Sequence, residues 1–248
     1  AAGRSSVNML ANQFSTEILT VDIGIDSDIY CSNIINKKIA YGTRSIVKGP
    51  AMDPSQARKA ISNGIEIVYD LCRNGTDIII TGEMGIGNTT TSAAIASVIL
   101  GIPAEITTGR GAGLDSSGMS RKIAAIHRAI KLNKPDPTDP IDVLSKLGGF
   151  DIAGMTGLFL GGAECGIPIV IDGVISAVSA CLAEMISPGC RDFMLPSHVS
   201  NEPSARLLLE KLGLKAPINA GFHLGEGTGG IMPVSYTHLR AHETEADL

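Results

Sequence analysis

The chain has no tryptophan, and aromatic residues fill only 4% of its 248 positions. Without ring platforms for stacking, it is poorly equipped to hold single-stranded nucleic acid. Lys and Arg number 20 against 25 Asp and Glu, a net charge of −5, so no basic surplus exists to neutralise a phosphate backbone. No apolar run reaches the ~18 residues that a membrane-spanning helix requires. The first residues also lack the charged-then-apolar order of a signal peptide. The five cysteines, Cys31, Cys72, Cys165, Cys181 and Cys190, form no Cys-x-x-Cys pair and are odd in number. They read as buried thiols of a reducing cytoplasm rather than as disulfides or zinc ligands. Charge is sparse too, at 18%, but apolar residues make up 44%, which excludes a disordered chain.

What is abundant is glycine, with 29 residues. Ile18–Ile25 is a β-branched run of strand length, and Asp53-Pro54 opens a helix with an N-cap and a proline at the first turn. Ala57, Ile61, Ile65, Val68 and Leu71 give that helix one apolar stripe, closed by Asn74-Gly75. Asp77–Thr81 is a short apolar strand, and the pattern then repeats: glycine loop 82–88, helix 89–100, a second glycine loop 109–113. Asp115 caps a helix striped by Met119, Ile123, Ile126 and Ile130. Asn133–Pro140 is a linker between helices. Helix 151–165, strand 167–172, helix 174–186, strand 193–196 and helix 203–212 complete the alternation. The expected fold class is α/β: a doubly wound, mostly parallel sheet with helices on both faces, Rossmann-like, with ligand loops at the strand C-termini. The expected domain is residues 1–232. From about Pro233 the chain turns polar and stripe-free, and 233–248 reads as a non-native, frame-shifted or appended tail. His238 and His242 in it lie four apart, with no third metal ligand in sight.

Three constellations carry chemistry. Thr81–Thr91 lies between a strand and a helix, and Gly82-x4-Gly87-Asn88-Thr89 has the spacing of a P-loop. Asn88, however, stands where the phosphate-binding lysine belongs, and Glu83 lies inside the loop, which disfavours a triphosphate. The helix N-terminus still offers free N–H groups to an anionic or polar ligand. Next, Gly109, Arg110, Gly111 and Gly113 form a loop that lets a ligand touch backbone, and Lys122 follows two turns into the next helix. Arg110 and Lys122 together could neutralise one phosphate. Last, His223-Leu224-Gly225-Glu226-Gly227-Thr228-Gly229 sets a sterically open carboxylate between glycines, suited to a general base. Asp172 ends a buried strand at the usual ligand edge. Pro196–Ser200 ends another with hydroxyls, but no Gly-x-Ser-x-Gly elbow supports a Ser/His/Asp hydrolase.

Taken together, GTRSIVKGPAM (42–52), GEMGIGNTTTSAA (82–94), TTGRGAGLD (107–115), RKIAAIHRA (121–129), LGGFDIAGMTG (147–157), VIDGVISA (170–177), SHVSNEP (197–203) and LGEGTG (224–229) resemble the nicotinate-nucleotide–dimethylbenzimidazole phosphoribosyltransferases. These enzymes make the lower-ligand nucleotide of cobalamin. The resemblance runs from about residue 3 to 232. It implies a homodimer that needs no metal or other cofactor, with small-molecule substrates and neither nucleic-acid nor membrane partners. It also implies a reaction in which nicotinate mononucleotide and 5,6-dimethylbenzimidazole give α-ribazole 5′-phosphate and nicotinate. The base falls on Glu226. Substrate-binding positions fall on Glu83, Gly85, Gly111, Lys122, Ser200 and Asp172; the loop reading adds Asn88, Thr89, Gly109 and Arg110. His223 joins them, where the family more often has Arg. The family pattern also leads one to expect a segment ahead of Ala1 and helices after Gly229, so its small helical domain is expected to be largely missing. The competing expectations are a P-loop-like nucleotide hydrolase and a non-catalytic azole-binding module.

Overall fold

The fold, seen here in a computed structural model, is described for residues 5–111, 113–219, 221 and 225–232. Its centre is a parallel three-stranded sheet of β3 (Ile79–Ile80), β4 (Ile169–Ile171) and β5 (Met194–Pro196), in the order β3-β4-β5. Ile79 pairs with Ile169 and Ile169 with Met194, so the C-terminal ends of the three strands open on one edge. A separate parallel pair joins β1 (Thr20–Asp22) to β2 (Ile34–Asn36). The expected parallel α/β architecture is present, with strands shorter than the apolar runs that announced them. The run 18–25 contributes three residues to the small pair and none to the central sheet. Asp22 ends that strand: its Oδ1 accepts the N–H groups of Gly24 and Ile25 (3.0 and 2.9 Å), turning the chain away.

Helices supply the rest: α1 (Ser6–Gln13), α2 (Pro54–Arg73), α3 (Asn88–Leu100), α4 (Ala104–Thr107), α5 (Ser116–Asn133), α6 (Pro140–Leu147), α7 (Phe150–Cys165), α8 (Gly173–Ile186) and α9 (Pro203–Leu212). The linker is there, but its final proline starts α6. Asp139 caps that helix through the N–H groups of Ile141 and Asp142 (2.9 and 3.1 Å). The core lies between β4, buried on both faces, and the small-residue helices α3, α7 and α8. Among the described residues, no helix is long and apolar enough to cross a membrane.

Helices α2 and α7 run side by side in a seam set by glycines. A methyl group added at Gly157 would lie 3.0 Å from the Gly64 Cα, and one added at Gly161 would lie 2.9 Å from the Val68 Cβ. Backbones meet here without intervening side chains, so the seam tolerates no larger residue at these glycines.

Candidate functional site

The strand ends gather two groups of polar side chains, and the first turn of α3 belongs to both. Gly87, at φ +82°, lets the loop turn directly into the helix, so that Asn88 and Thr89 lead different faces into the interior.

On one side, Asn88 Nδ2 donates to Glu83 Oε2 and to Asp151 Oδ2, the latter at 2.8 Å, and Gly85 N–H also donates to Glu83 Oε2 (3.1 Å). A side chain at Gly85 would collide with Asp151 and Asn88. Burial raises the Glu83 pKa to about 7. The charges of Asp151 and Asp172 act in the same direction, against the hydrogen bonds from Asn88 and Gly85. With an amide between two carboxylates where a P-loop has its lysine, this loop repels a triphosphate.

Glycine-rich residues 225–230 close over the same strand ends. Gly227 N–H donates to Asp172 Oδ2 (2.8 Å) at the end of β4, and Gly82 lies so close that an added Cβ would be 3.0 Å from the Glu226 carbonyl. Residues Gly225, Glu226 and Gly227 are all left-handed, with φ of +74°, +61° and +83°. For the glycines this costs nothing; for Glu226 it is strained backbone. Burial raises the Asp172 pKa to about 6, opposed by the N–H groups of Gly227, Gly230 and Gly229. Glu83, Asp172 and the Glu226 turn thus stand around one edge. The Ser197 hydroxyl donates to the Ile171 carbonyl (2.6 Å) and shares a hydrogen bond with His198 Nδ1 (2.8 Å). Buried and so engaged, Ser197 is no nucleophile, although His198 Nδ1 is 4.0 Å from Asp172 Oδ1. Burial holds the His198 pKa below its ordinary value, which keeps the ring neutral.

On the other side, Thr89 Oγ1 and the Gly109 carbonyl each accept from Lys122 Nζ at 3.0 Å. Lys122 is only 7% exposed because α5 turns Gly118, Lys122, Ile126, Ala129 and Asn133 inward. Of the expected stripe, Ile126 is fully buried and Ile123 and Ile130 pack half-buried against the core, while the most deeply buried line runs one position earlier through Gly118, Lys122 and Ala129. Two polar residues are accommodated on the buried face because they have partners; Asn133, for one, donates to the Ile46 carbonyl at 2.8 Å. Burial lowers the Lys122 pKa, partly offset by the Glu202 charge. Glu202 precedes α9 but leaves its own helix uncapped. Its Oε1 instead accepts the Gly111 N–H at 3.0 Å, and the carboxylate fills the space above Gly109. Ser200 Oγ accepts the Glu202 N–H at 3.4 Å, which ties it to this group.

Of the expected site residues, the structure collects Glu83, Gly85, Asn88, Asp172 and Glu226 on one side and Thr89, Gly109, Gly111, Lys122 and Ser200 on the other. Arg110 does not join Lys122: exposed, it donates to the Leu114 carbonyl (2.7 Å), closing its own loop. His223 and the whole segment 233–248, with His238 and His242, lie outside the described residues. Asp151 and Glu202 escaped the sequence reading, although both sit within the matching stretches LGGFDIAGMTG and SHVSNEP. All five cysteines are free, and only Cys181 and Cys190 are buried; the other three are half-buried, contrary to the reading as interior thiols. Among the described residues there is no group of three or more His, Cys, Asp or Glu able to hold a metal ion.

Comparison with known proteins bears on this arrangement. The chain is 47% identical over 230 residues to a nicotinate-nucleotide–dimethylbenzimidazole phosphoribosyltransferase of Acetivibrio thermocellus, covering 93% of this chain and 66% of that protein. It is 49% identical to the protein of the same name from Ruminiclostridium cellulolyticum, covering 93% and 65%. The chain thus spans a little under two thirds of the length of these relatives. Among solved structures, CobT from Thermus thermophilus superposes with a TM-score of 0.89 at 35% identity, over 94% of this chain and 70% of that one. The sequence profile of a family described as phosphoribosyltransferase matches residues 1–241. A parallel sheet whose strand ends bring glycine loops, a buried lysine and carboxylates to one edge is what such a match would need, and the chain belongs to that phosphoribosyltransferase family.

Proposed function

We propose that residues 1–232 carry the nucleotide-binding and base-bearing part of an enzyme that moves the phosphoribosyl group of nicotinate mononucleotide onto 5,6-dimethylbenzimidazole. The observation that carries the reading is the pairing, across the first turn of α3, of an anion cradle with a carboxylate edge. Gly111 N–H and Lys122 suit a 5′-phosphate. In the ligand-free chain the Glu202 carboxylate occupies that N–H, so phosphate entry requires Glu202 to move aside.

Nicotinate leaves from a pyridinium and needs no acid to expel it. The incoming benzimidazole is neutral and must lose its N–H proton as its other nitrogen attacks the anomeric carbon. Glu226 is the base in this reading, held between two glycines that leave its carboxylate open. Glu83, with a pKa near neutrality, exchanges a proton at the same edge without the full cost of a second fixed negative charge. Attack opposite the leaving group converts a β-nucleotide into an α-nucleotide. The reading carries with it a homodimer and a cytoplasmic location.

The test is release of nicotinate from nicotinate mononucleotide on addition of dimethylbenzimidazole, run on this chain and on one completed at both ends with a relative's segments. Release that depends on the azole supports transfer. Binding of the azole without release would turn the reading toward a binding module.

A further inference from the structure

Cys72, one residue before the end of α2, and Cys165, the last residue of α7, lie at the ends of the two helices of the glycine seam, and neither has a part in the site described above. Gly64 faces Gly157, and four residues on Val68 faces Gly161. A further four residues in each helix bring Cys72 opposite Cys165. The same offset of one helix against the other, carried through three successive turns, means the helices run parallel and in register. Tyr69 and Glu164, each beside this row, meet through a hydrogen bond from the Tyr69 hydroxyl, which pins the helix ends together.

The spacing suits a covalent bond. One turn earlier, the Val68 Cβ and the Cβ position of residue 161 are 2.9 Å apart. A disulfide needs its two Cβ atoms about 3.8 Å apart, which a slight divergence of the helices over one turn supplies. The two thiols already interact, and this adds to burial in raising the Cys165 pKa. Both are half-buried and reachable from solvent. Cys181 and Cys190 make the contrast: they are buried, their thiols donate to the Leu208 and Phe159 carbonyls (3.6 and 3.2 Å), and each pKa is pushed up to about 12. We propose that Cys72 and Cys165 are a disulfide-forming pair that locks the ends of α2 and α7.

The oxidant is a small-molecule disulfide. One thiolate attacks it, forming a mixed disulfide and releasing one thiol. The second thiolate then attacks the protein sulfur of that mixed disulfide and releases the other thiol. Two protein thiols are oxidised to one bond, and one disulfide is reduced to two thiols. The bond would form ahead of β4, at the end of the sheet opposite Asp172.

The experiment treats the folded chain with oxidised glutathione and reads intact mass and peptide maps. The expected product has lost about 2 Da, carries a single 72–165 cross-linked peptide and melts at a higher temperature than the reduced chain. In Cys165→Ser, Cys72 should instead retain glutathione, showing that the second thiol normally resolves the first. Stable adducts on both cysteines of the unmutated chain, a cross-link through Cys31, or no reaction at either thiol would each overturn the proposal. A melting curve of the Cys165→Ser chain before oxidation establishes that it is folded.

Discussion

The two glycine loops at the sheet edge look alike in sequence but differ in physics. Loop 82–88 surrounds its helix start with carboxylates, Glu83 and Asp151, and answers them with an amide. Loop 109–113 offers an N–H and a buried ammonium, and it is answered by a single carboxylate from another element, Glu202. The first can trade protons near neutrality; the second can neutralise a fixed negative charge. Glycine content alone says only that something approaches the backbone, and the charge around the loop says what.

The largest effect should come from the carboxylate side. In a completed enzyme, Glu226→Gln should lower azole-dependent nicotinate release by ~10²–10⁴ while nicotinate mononucleotide affinity hardly changes. Retention of more than about a tenth of the turnover, a loss far short of that range, would remove Glu226 from the role of base.

The same side should make stability depend on pH. Glu83 titrates at about 7 in the folded chain, above its ordinary value of 4.5. The folded state therefore holds the proton more tightly, and this contribution is fully present below about 4.5 and lost as pH rises through 7. The loss is on the order of 3 kcal/mol. Melting temperature should fall between pH 5 and 8, and Glu83→Gln should flatten most of that slope. An unchanged slope in the variant would assign the proton elsewhere.

On the cationic side, Lys122→Ala should weaken nicotinate mononucleotide by roughly 10- to 150-fold, the equivalent of ~1.5–3 kcal/mol for a charge-assisted contact. The phosphate-free nucleoside should lose far less. Equal losses, measured by titration calorimetry, would move the phosphate elsewhere. The smallest effect is expected from turning the first loop into the second kind: Asn88→Lys should give no Mg²⁺-dependent ATP hydrolysis, because the new ammonium would pair with Glu83 and Asp151. A gain of that activity would erase the distinction between the loops.

The alternation of short apolar runs and striped helices was legible because burial imposes it directly on the sequence, as in Ile169–Ile171 and α2. Glu83, Asp172 and Glu226 could be singled out because glycines or a strand end flank them. Asp151 and Glu202 could not. Asp151 stands in the first turn of α7 and Glu202 just ahead of α9, where an acidic residue is commonplace; the importance of each lies in a partner reached across the fold, Asn88 from 63 residues away and Gly111 from 91. The strand at 20–22 was visible, but its assignment to a separate sheet was not, since pairing partners leave no mark on a single run. The deeply buried line of α5 has the same origin. Only tertiary contacts show that Lys122 is an interior residue.

The left-handed backbone at Glu226 has a consequence for anyone improving this protein. Glycine would adopt φ +61° freely, so Glu226→Gly should raise conformational stability by about 1 kcal/mol while deleting the carboxylate proposed as the base. Rounds of selection for heat resistance alone would thus reward the loss of function. Only a screen that scores turnover and melting together would keep this residue in place.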